Sequence, residues 1–490
     1  MKPRELNNLG VPHGEAMHAA QTAIASAAAS GMDKPSLRQR ISAVVADPGA
    51  FTADEHFGSL ANALAAAPSA AFTPRASPAP WRNWGVGLEP EAVAQMRRAC
   101  DLPVAVAGAL MPDAHVGYGL PIGGVLATRN AVIPYAVGVD IACRMRLSVL
   151  DLPPDALDTE QGRDRLTRAI ETQTRFGVGA SFQKRREHEV MDADWSVSPV
   201  TSNSRDKAWS QLGTSGSGNH FVEFGVLEVS EAQAGAIRPI APSGNQAHGS
   251  GWNFRLAAGT YLALLSHSGS RGTGAAVCDR YSKLAMELHR DLPKELKYLA
   301  WLDLDSQPGL EYWEAMNLMG RYASANHECI HRHVAKELGA QAIAYVENHH
   351  NFAWKESHTL ADGSTGDLIV HRKGATPAGP DVLGVIPGSM ASPGFVVRGR
   401  GSSESLLSAS HGAGRAMSRT RARESFAWGN VKRDLAARNV HLISAGIDEV
   451  PGVYKDIHAV MAQQADLVET IARFDPRLVK MAPEGERPED

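Results

Sequence analysis

Residues 408–418 contain one histidine, His411, surrounded by small residues. Gly412 and Gly414 follow it and can present backbone N–H groups to an anion, while Arg415 adds a planar cationic donor. The segment therefore predicts an accessible imidazole beside a phosphate. Taken alone, it also fits a glycine-rich turn that carries a solvated histidine.

Four other glycine-punctuated apolar segments contain residue types that bind metals. These are one carboxylate, one thiol and three imidazoles, namely Asp140, Cys143, His220, His267 and His350. Divalent transition metals favour such a set, and a thiolate can bridge two ions, whereas Mg²⁺ alone would not require it. Each residue alone is more often a buried or hydrogen-bonded structural residue. Because the chain has no Cys-x-x-Cys motif and the five residues are far apart in sequence, they predict a site assembled from distant strands and loops.

Eight motifs follow one another from about residue 86 to the C terminus. They are Met111-Pro-Asp113-Ala-His115, the Asp140/Cys143 segment, Gly218-Asn219-His220-Phe221, His267-Ser-Gly-Ser-Arg271-Gly, His350-Asn351, His371-Arg372-Lys373-Gly-Ala-Thr, Pro387-Gly-Ser389-Met and His411-Gly-Ala-Gly-Arg. As an ordered set they resemble the RtcB family of RNA-splicing ligases. The resemblance implies an α/β fold of the α+β type, in which one large catalytic domain contains mixed β-sheets.

The resemblance also implies an activity. Family members are GTP- and Mn²⁺-dependent RNA ligases that join 3′-phosphate or 2′,3′-cyclic phosphate ends to 5′-hydroxyl ends in RNA splicing or repair. The histidine matching His411 attacks the α-phosphorus of GTP and becomes guanylylated, and two Mn²⁺ ions orient the triphosphate. GMP then passes to the RNA 3′-phosphate and is released when the 5′-hydroxyl attacks. RNA ends of these kinds, and an archease-like activator in part of the family, are the implied partners.

Site residues carry over from the same motifs. Cys143 is expected to bridge the two ions, with His220 and His267 in one coordination sphere and Asp140 and His350 in the other. The residues expected around the nucleotide are Asn219, Phe221, Glu223, Asn351, Ser389, His411, Gly412, Gly414, Tyr454 and Lys480. Among these, Phe221 is expected to stack on guanine, while Glu223 and Lys480 meet the polar edge of the base.

Three positions depart from the family pattern. Ala142 and Arg144 flank the metal cysteine where many members have glycine or asparagine before it and glycine after it. We expect Arg144 to contact an RNA phosphate, since an unpaired cation would be expelled from the metals toward the incoming polyanion. Gly394 stands where a guanine-binding serine is often found, so a looser preference for GTP is expected.

Two other function classes fit the same residues. One is a Mn²⁺-dependent phosphoesterase or nuclease that forms no covalent nucleotide, and the other is a non-catalytic RNA-binding paralogue. Neither needs an exposed nucleophile, so His411 with its glycines and Arg415 favours the ligase. The net charge of −4 does not indicate RNA binding by itself. Positive charge is local to the C-terminal third, at Arg372, Lys373, Arg398, Arg400, Arg415, Arg419, Arg421 and Arg423.

The elements that must position these residues are predicted next. At 490 residues, the natural division is a helical N-terminal extension with a Pro/Ala-rich linker over 1–85 and a catalytic domain over 86–490. Helices are predicted at 13–30, 36–67 with a break at Asp47, 155–172, 276–290, 310–339 and 455–473. Strands are predicted within 125–149, 212–229 and 383–397, and surface loops at 185–210 and 234–254.

The cellular location is predicted from what the chain lacks. Its four cysteines, Cys100, Cys143, Cys278 and Cys329, are widely spaced without a disulfide framework. There is also no apolar run of membrane-spanning length and no apolar stretch after the first residues. A cytoplasmic protein without membrane contact is therefore expected.

Overall fold

The computed structural model describes residues 1, 5–6, 9–12, 15–66, 72–236, 251–359 and 363–487. Its α-helices are α1 (Glu15–Ala29), α2 (Lys34–Ala46), α3 (Gly58–Ala66), α4 (Pro90–Cys100), α5 (Pro134–Val137), α6 (Glu160–Gln173), α7 (Pro199–Gln211), α8 (Glu231–Ala236), α9 (Arg271–Leu288), α10 (Gln307–Glu337), α11 (Arg419–Ser425), α12 (Trp428–Ala437) and α13 (Ile457–Gln463).

The strands are β1 (Trp81–Asn83), β2 (Ala105–His115), β3 (Ile122–Thr128), β4 (Ala131–Val132), β5 (Arg144–Leu150), β6 (Phe221–Val229), β7 (Gly251–Asn253), β8 (Gly259–Ser268), β9 (Leu302–Asp303), β10 (Ala342–His349), β11 (Asn351–Thr359), β12 (Thr365–Lys373), β13 (Ala375–Pro377), β14 (Leu383–Ile386), β15 (Gly394–Gly399), β16 (Ser408–Ser410), β17 (His441–Ser444) and β18 (Val468–Met481). Helices and strands are thus mixed along the chain, which confirms the predicted α/β class.

Two sheets dominate the fold. One has the strand order β1-β2-β3-β12-β11, and the larger one has the order β14-β15-β18-β6-β8-β5-β10-β7 with β17 added on β18. The strands of the larger sheet are apolar on both faces, so each face builds a separate core. Met145, Leu265 and Phe474 belong to one core, and Phe224 and Leu264 belong to the other.

The order β6-β8-β5-β10 explains where the candidate site lies. These neighbours are antiparallel, so the beginnings of β6 and β5 and the ends of β8 and β10 meet at one edge of the sheet. His220 precedes β6, Cys143 precedes β5, His267 lies at the end of β8, and His350 follows β10. Residues far apart in sequence are therefore gathered at a single edge.

The predicted elements were partly correct. The N-terminal helices lie where expected, broken at Asp47, and pack around their own core of Leu37, Ile41, Leu60 and others. The linker is only partly described, and the division at residue 85 stays a prediction. Within the described ranges, no helix combines the length and the apolar character needed to cross a membrane.

Two predicted elements were wrong. The supposed loop at 185–210 contains α7, whose start is fixed by a reciprocal cap between Ser198 and Thr201 and by Pro199. Because the segment is polar, the helix was not predicted from the sequence. The supposed helix at 455–473 ends at Gln463, because the chain from Val468 pairs with β15 instead. Of the second predicted loop, residues 237–250 lie outside the described residues.

Candidate active site

The five candidate metal donors form one buried group, called here the donor cluster (Asp140, Cys143, His220, His267 and His350). The Sγ atom of Cys143 lies 3.4 Å from His220 Nε2 and 3.0 Å from His267 Nε2. A distance of 3.1 Å joins His220 Nε2 to Asp140 Oδ2, and 3.2 Å joins His267 Nε2 to His350 Nε2. Metal bonds of about 2.1–2.3 Å place the ligands of one ion roughly 3–4 Å apart, so the cluster fits a metal centre.

The distances show how the donors are grouped. Asp140 lies beside His220, His350 lies beside His267, and Cys143 touches both His220 and His267. The ligand atoms of Cys143, His220 and His267 all lie within 4.8 Å of one another, as a shared ion requires. The expected assignment of His220 and His267 to one ion and of Asp140 and His350 to the other stays a prediction.

The hydrogen bonds and burial of the cluster prepare its histidines as ligands. The carbonyl oxygen of Asn219 lies 3.0 Å from His267 Nδ1 and can only accept, so Nδ1 carries the proton and Nε2 carries the lone pair. Burial lowers the pKa of His267 to about 3 and that of His350 well below its usual value. Both imidazoles are therefore neutral, which is the form that binds a metal.

The carboxylate of Asp140 is held in its charged form. Burial would raise its pKa, but the hydrogen bond and charge of His220 outweigh burial, and the pKa lies below the ordinary value. Its Oδ1 accepts from the backbone N–H of Ser270 at 3.0 Å. A carboxylate oxygen, imidazole nitrogens and a sulfur are together the donor types of a transition-metal site.

His411 lies directly beside the donor cluster. Its ring centroid is 4.8 Å from that of His350, and its side chain is 15% exposed. Nδ1 lies 2.7 Å from Oδ2 of Asp113, a fully buried residue at the end of β2. The carboxylate can only accept, so Nδ1 carries a proton, and in the neutral imidazole Nε2 carries the lone pair.

Asp113 belongs to the first of the eight motifs, but the sequence did not predict a role for it. Besides the ring, its Oδ2 accepts from the backbone N–H groups of His411 and Gly412, at 3.1 and 3.3 Å. Burial would raise the pKa of Asp113, but His411 outweighs it and the pKa is lowered. The only sequence signal was a carboxylate in a glycine-rich segment, because its contact with His411 spans 298 residues.

Two cavities open on His411. The inner cavity is lined by most of the expected nucleotide residues, namely Asn219, Phe221, Glu223, Ser389, Gly412, Gly414 and Tyr454. The outer cavity is lined by Asp140, Cys143, His220 and Asn351, and His350 and His411 line both. Burial raises the pKa of Glu223 well above its usual value, which favours the protonated form of this carboxyl group. The geometry thus joins the inner cavity to the donor cluster through His411.

Lys480 is the expected nucleotide contact that the structure does not bring into the site. Its Nζ lies 3.1 Å from Glu171 on α6, on the other face of the sheet. Val479 and Met481 line the inner cavity and pair with Glu223 and Phe221, whereas Lys480 pairs with Val222. Since successive residues of a strand face opposite sides, Lys480 points away and its predicted contact with guanine is wrong.

The prediction for Arg144 is also wrong. Its side chain is fully buried, makes an ion pair with Glu347, and donates to the carbonyl oxygen of Gly320 at 2.9 Å. Glu347 also accepts from Arg146 at 2.6 Å and from Ser324 at 2.6 Å. Arg144 therefore has the acidic partner that the sequence did not reveal, and it cannot reach an RNA phosphate.

This burial predicts a loss of stability in Arg144→Gly. Removing one member of a buried pair costs about 3 kcal/mol, because Glu347 loses its closest partner and a cavity remains. We expect a lower midpoint of urea unfolding and no change in the salt dependence of RNA binding. The exposed Arg421→Ala is the matched control. An unchanged midpoint with a flatter salt dependence would support the phosphate contact instead.

Several arginines of the C-terminal third are also paired. Arg415 contacts Glu449 at 3.4 Å, Arg419 forms an ion pair with Glu449, and Arg423 contacts Asp448 at 2.9 Å. Their charge is partly compensated within the protein. The predicted basic surface is thus weaker than the sequence suggested, although Arg415 and Arg419 still line the outer cavity.

Ala142, one of the three departures from the family pattern, has an unfavourable backbone conformation. Ala142 adopts a φ of +59°, in the left-handed region that favours glycine, and its N–H donates to the carbonyl of Asn351 at 2.7 Å. This bond fixes the turn that carries Cys143. The other departure, Gly394, lines the inner cavity and offers no side-chain hydrogen bond there.

Comparisons with known proteins show the family to which this chain is similar. A family model described as "tRNA-splicing ligase RtcB" matches residues 95–199 and 193–481. The chain is 32% identical over 427 residues to "RNA-splicing ligase RtcB" of Escherichia coli strain K12, covering 80% of this chain and 95% of that protein. It is 30% identical over 458 residues to "RNA-splicing ligase RtcB homolog 1" of Entamoeba dispar, covering 80% and 82%. For "tRNA-splicing ligase RtcB" of Nanoarchaeum equitans the identity is 29% over 452 residues, covering 79% and 91%.

Proposed function

Because the chain belongs to the RtcB family, we propose that it is an RNA ligase that joins 3′-phosphate or 2′,3′-cyclic phosphate ends to 5′-hydroxyl ends, with GTP as the activating nucleotide and His411 as the nucleophile. The observation that carries the proposal is the bond between His411 Nδ1 and Asp113 Oδ2 at 2.7 Å. In the neutral imidazole this bond places the proton on Nδ1, so that Nε2 beside the donor cluster is the nitrogen available for a nucleotidyl transfer.

The steps follow from this nitrogen. His411 Nε2 forms a bond to the α-phosphorus of GTP, and the bond to pyrophosphate breaks. The charge that develops on the imidazole is offset by the carboxylate of Asp113. An oxygen of the RNA 3′-phosphate then displaces the histidine and takes over the guanylyl group. Attack by the 5′-hydroxyl on the activated 3′-phosphate forms the phosphodiester and expels GMP, with the hydroxyl proton passing to solvent.

The donor cluster would hold two Mn²⁺ ions. Cys143, His220 and His267 would hold one ion, and Asp140 and His350 would hold the other together with Cys143. When bound, the ions would neutralise phosphate charge and polarise the phosphorus under attack. A softer donor set of nitrogen and sulfur favours Mn²⁺ over Mg²⁺ here.

The inner cavity would hold the guanosine part of GTP. Phe221 offers a ring for stacking, and Glu223 offers a buried carboxyl group to the polar edge of the base. Gly412 and Gly414 line the cavity beside His411, where a Cβ on Gly414 would clash with the backbone of Asp113. Because glycine has no Cβ, the backbone at Gly414 can lie close to the phosphates that would approach Nε2 of His411.

One assay tests the proposed function against its two alternatives. The chain is incubated with α-labelled GTP and Mn²⁺ and separated by denaturing electrophoresis. An acid-labile, alkali-stable labelled band is expected, because a phosphoramidate at histidine has these properties. RNA cleavage without a band would indicate the phosphoesterase, and RNA binding without either would indicate the non-catalytic paralogue.

Variants of Asp113 test the role of the His411 tautomer. Asp113→Ala should slow guanylylation by about 100-fold or more, because the imidazole loses both its orienting acceptor and the compensating charge. Asp113→Asn should be intermediate. Its amide oxygen can replace Oδ2 as acceptor, and its nitrogen can occupy the position of Oδ1, which has no hydrogen-bond partner among the residues that the structure describes. The single-turnover labelling rate measures this order, and equal rates in all three proteins would contradict it.

A further inference from the structure

An exposed tyrosine lies on the rim of the outer cavity. Tyr118 is 61% exposed, on the short loop between β2 and β3, and lines the cavity together with His411, His350 and Asn351. Its neighbour Val116 is 41% exposed on the same rim. The cavity volume of about 460 Å³ lies within the range of about 300–1,000 Å³ that is usual for small-ligand sites. An aromatic ring thus faces solvent at the entrance to the nucleophile.

The ring of Tyr118 is supported from one side. Tyr298 packs edge to face against it, with ring centroids 5.6 Å apart and an interplanar angle of 67°. Tyr135 supports Tyr298 in the same way at 4.9 Å and 79°. An edge-to-face row of this kind fixes the position of the outer ring while most of that ring remains accessible.

The loop that carries the ring is also fixed. The side chain of Gln95 donates to the carbonyl of Gly117 at 2.6 Å and accepts from its N–H at 3.0 Å. The carbonyl of Tyr118 accepts from the buried Lys373 Nζ. Gly119 has a φ of +71° and approaches the backbone of Tyr298 so closely that a Cβ would clash. The exposure of Tyr118 is therefore built into a constrained loop.

The surroundings carry positive charge. Lys373 and Arg415 line the same cavity, and Lys297 Nζ lies 4.5 Å from the ring centroid of Tyr298. Single-stranded nucleic acids bind where such cations follow the backbone and aromatic side chains stack on the bases. An apolar docking peptide would not require cations at this position.

We infer that Tyr118 is a stacking platform for a nucleobase at the end of the RNA strand that carries the 3′-phosphate. The inference rests on the proposed function, because guanylyl transfer brings that phosphate to His411 and so places its terminal nucleotides in the cavity that Tyr118 lines. Recognition by stacking depends on a base being present but tolerates any base.

The experiment is a binding cycle that needs no turnover. Fluorescence anisotropy measures the dissociation constants of a 3′-phosphate RNA oligonucleotide and of the same oligonucleotide with abasic sites at its two 3′-terminal positions. We expect the abasic change to weaken binding by about tenfold for the unaltered protein and by less than about twofold for Tyr118→Ala. Tyr118→Phe keeps a ring and should retain the full penalty. Tyr118→Leu keeps apolar bulk without a ring and should lose the abasic penalty.

The outcomes separate this inference from the proposed function. An abasic penalty of equal size in Tyr118→Ala and in the unaltered protein overturns the inference. The inference is also overturned if Tyr118→Ala reduces the abasic penalty only when the abasic sites are placed in an RNA strand that carries the 5′-hydroxyl. If the unaltered protein seals RNA but shows no coupling, the inference alone fails. If it shows the coupling but forms no covalent guanylate, the proposed function alone fails.

Discussion

His411→Ala is expected to form no covalent guanylate and to seal no RNA. The substitution removes the ring nitrogen that lies beside the donor cluster and that the bond to Asp113 leaves available for attack. A loss of the covalent step corresponds to a fall of at least about 10⁴-fold in ligation rate, which is effectively a complete loss. Labelling with α-labelled GTP and sealing of a 3′-phosphate RNA measure the two parts of this expectation.

The controls for this prediction follow from the geometry. The metal content should persist in His411→Ala, since the imidazole is assigned to phosphorus and lies 4.8 Å from His350 between ring centroids. The exposed His458→Ala lies outside both cavities that open on His411 and should label normally. Ligation that continues in His411→Ala with GTP as the only nucleotide would rule out the covalent mechanism.

Cys143→Ala is expected to lose both metal ions. Its sulfur is the atom that touches both His220 and His267, so its removal takes the shared negative ligand from two adjacent cations. The repulsion between two divalent ions a few ångströms apart is then uncompensated. We expect Mn²⁺ per chain, measured by mass spectrometry of the metal after desalting, to fall from two to near zero. Guanylylation should be lost with it.

Two further variants make the metal prediction specific. His350→Ala removes a donor that lies next to His267 only, and it should cost one ion. Cys278→Ala removes a buried thiol outside the cluster and should cost none. Two ions per chain in Cys143→Ala would refute the shared thiolate, and one ion would indicate that the thiol serves a single metal.

The sequence by itself determined which residues have the necessary chemistry. Thiol, imidazole and carboxylate are properties of the side chains, so Cys143, His220 and His411 could be recognised before any fold was known. The order of the motifs then identified the family, and the family model and relatives confirm it. The broad α/β class followed from the same resemblance.

Only the tertiary structure decided which way the side chains face and which partners they meet. A bulge between Pro476 and Leu478 shifts the alternation of β18, so that Met481 enters the cavity and Lys480 leaves it. A shift of one residue reverses every following side chain, and no local pattern reveals it. Arg144 and Glu347 meet because β5 pairs with β10, and His411 and Asp113 meet because the segment after β16 packs against the end of β2. The direction in which a side chain points and the residues that it contacts depend on how these distant segments come together, whereas the chemical type of the side chain does not.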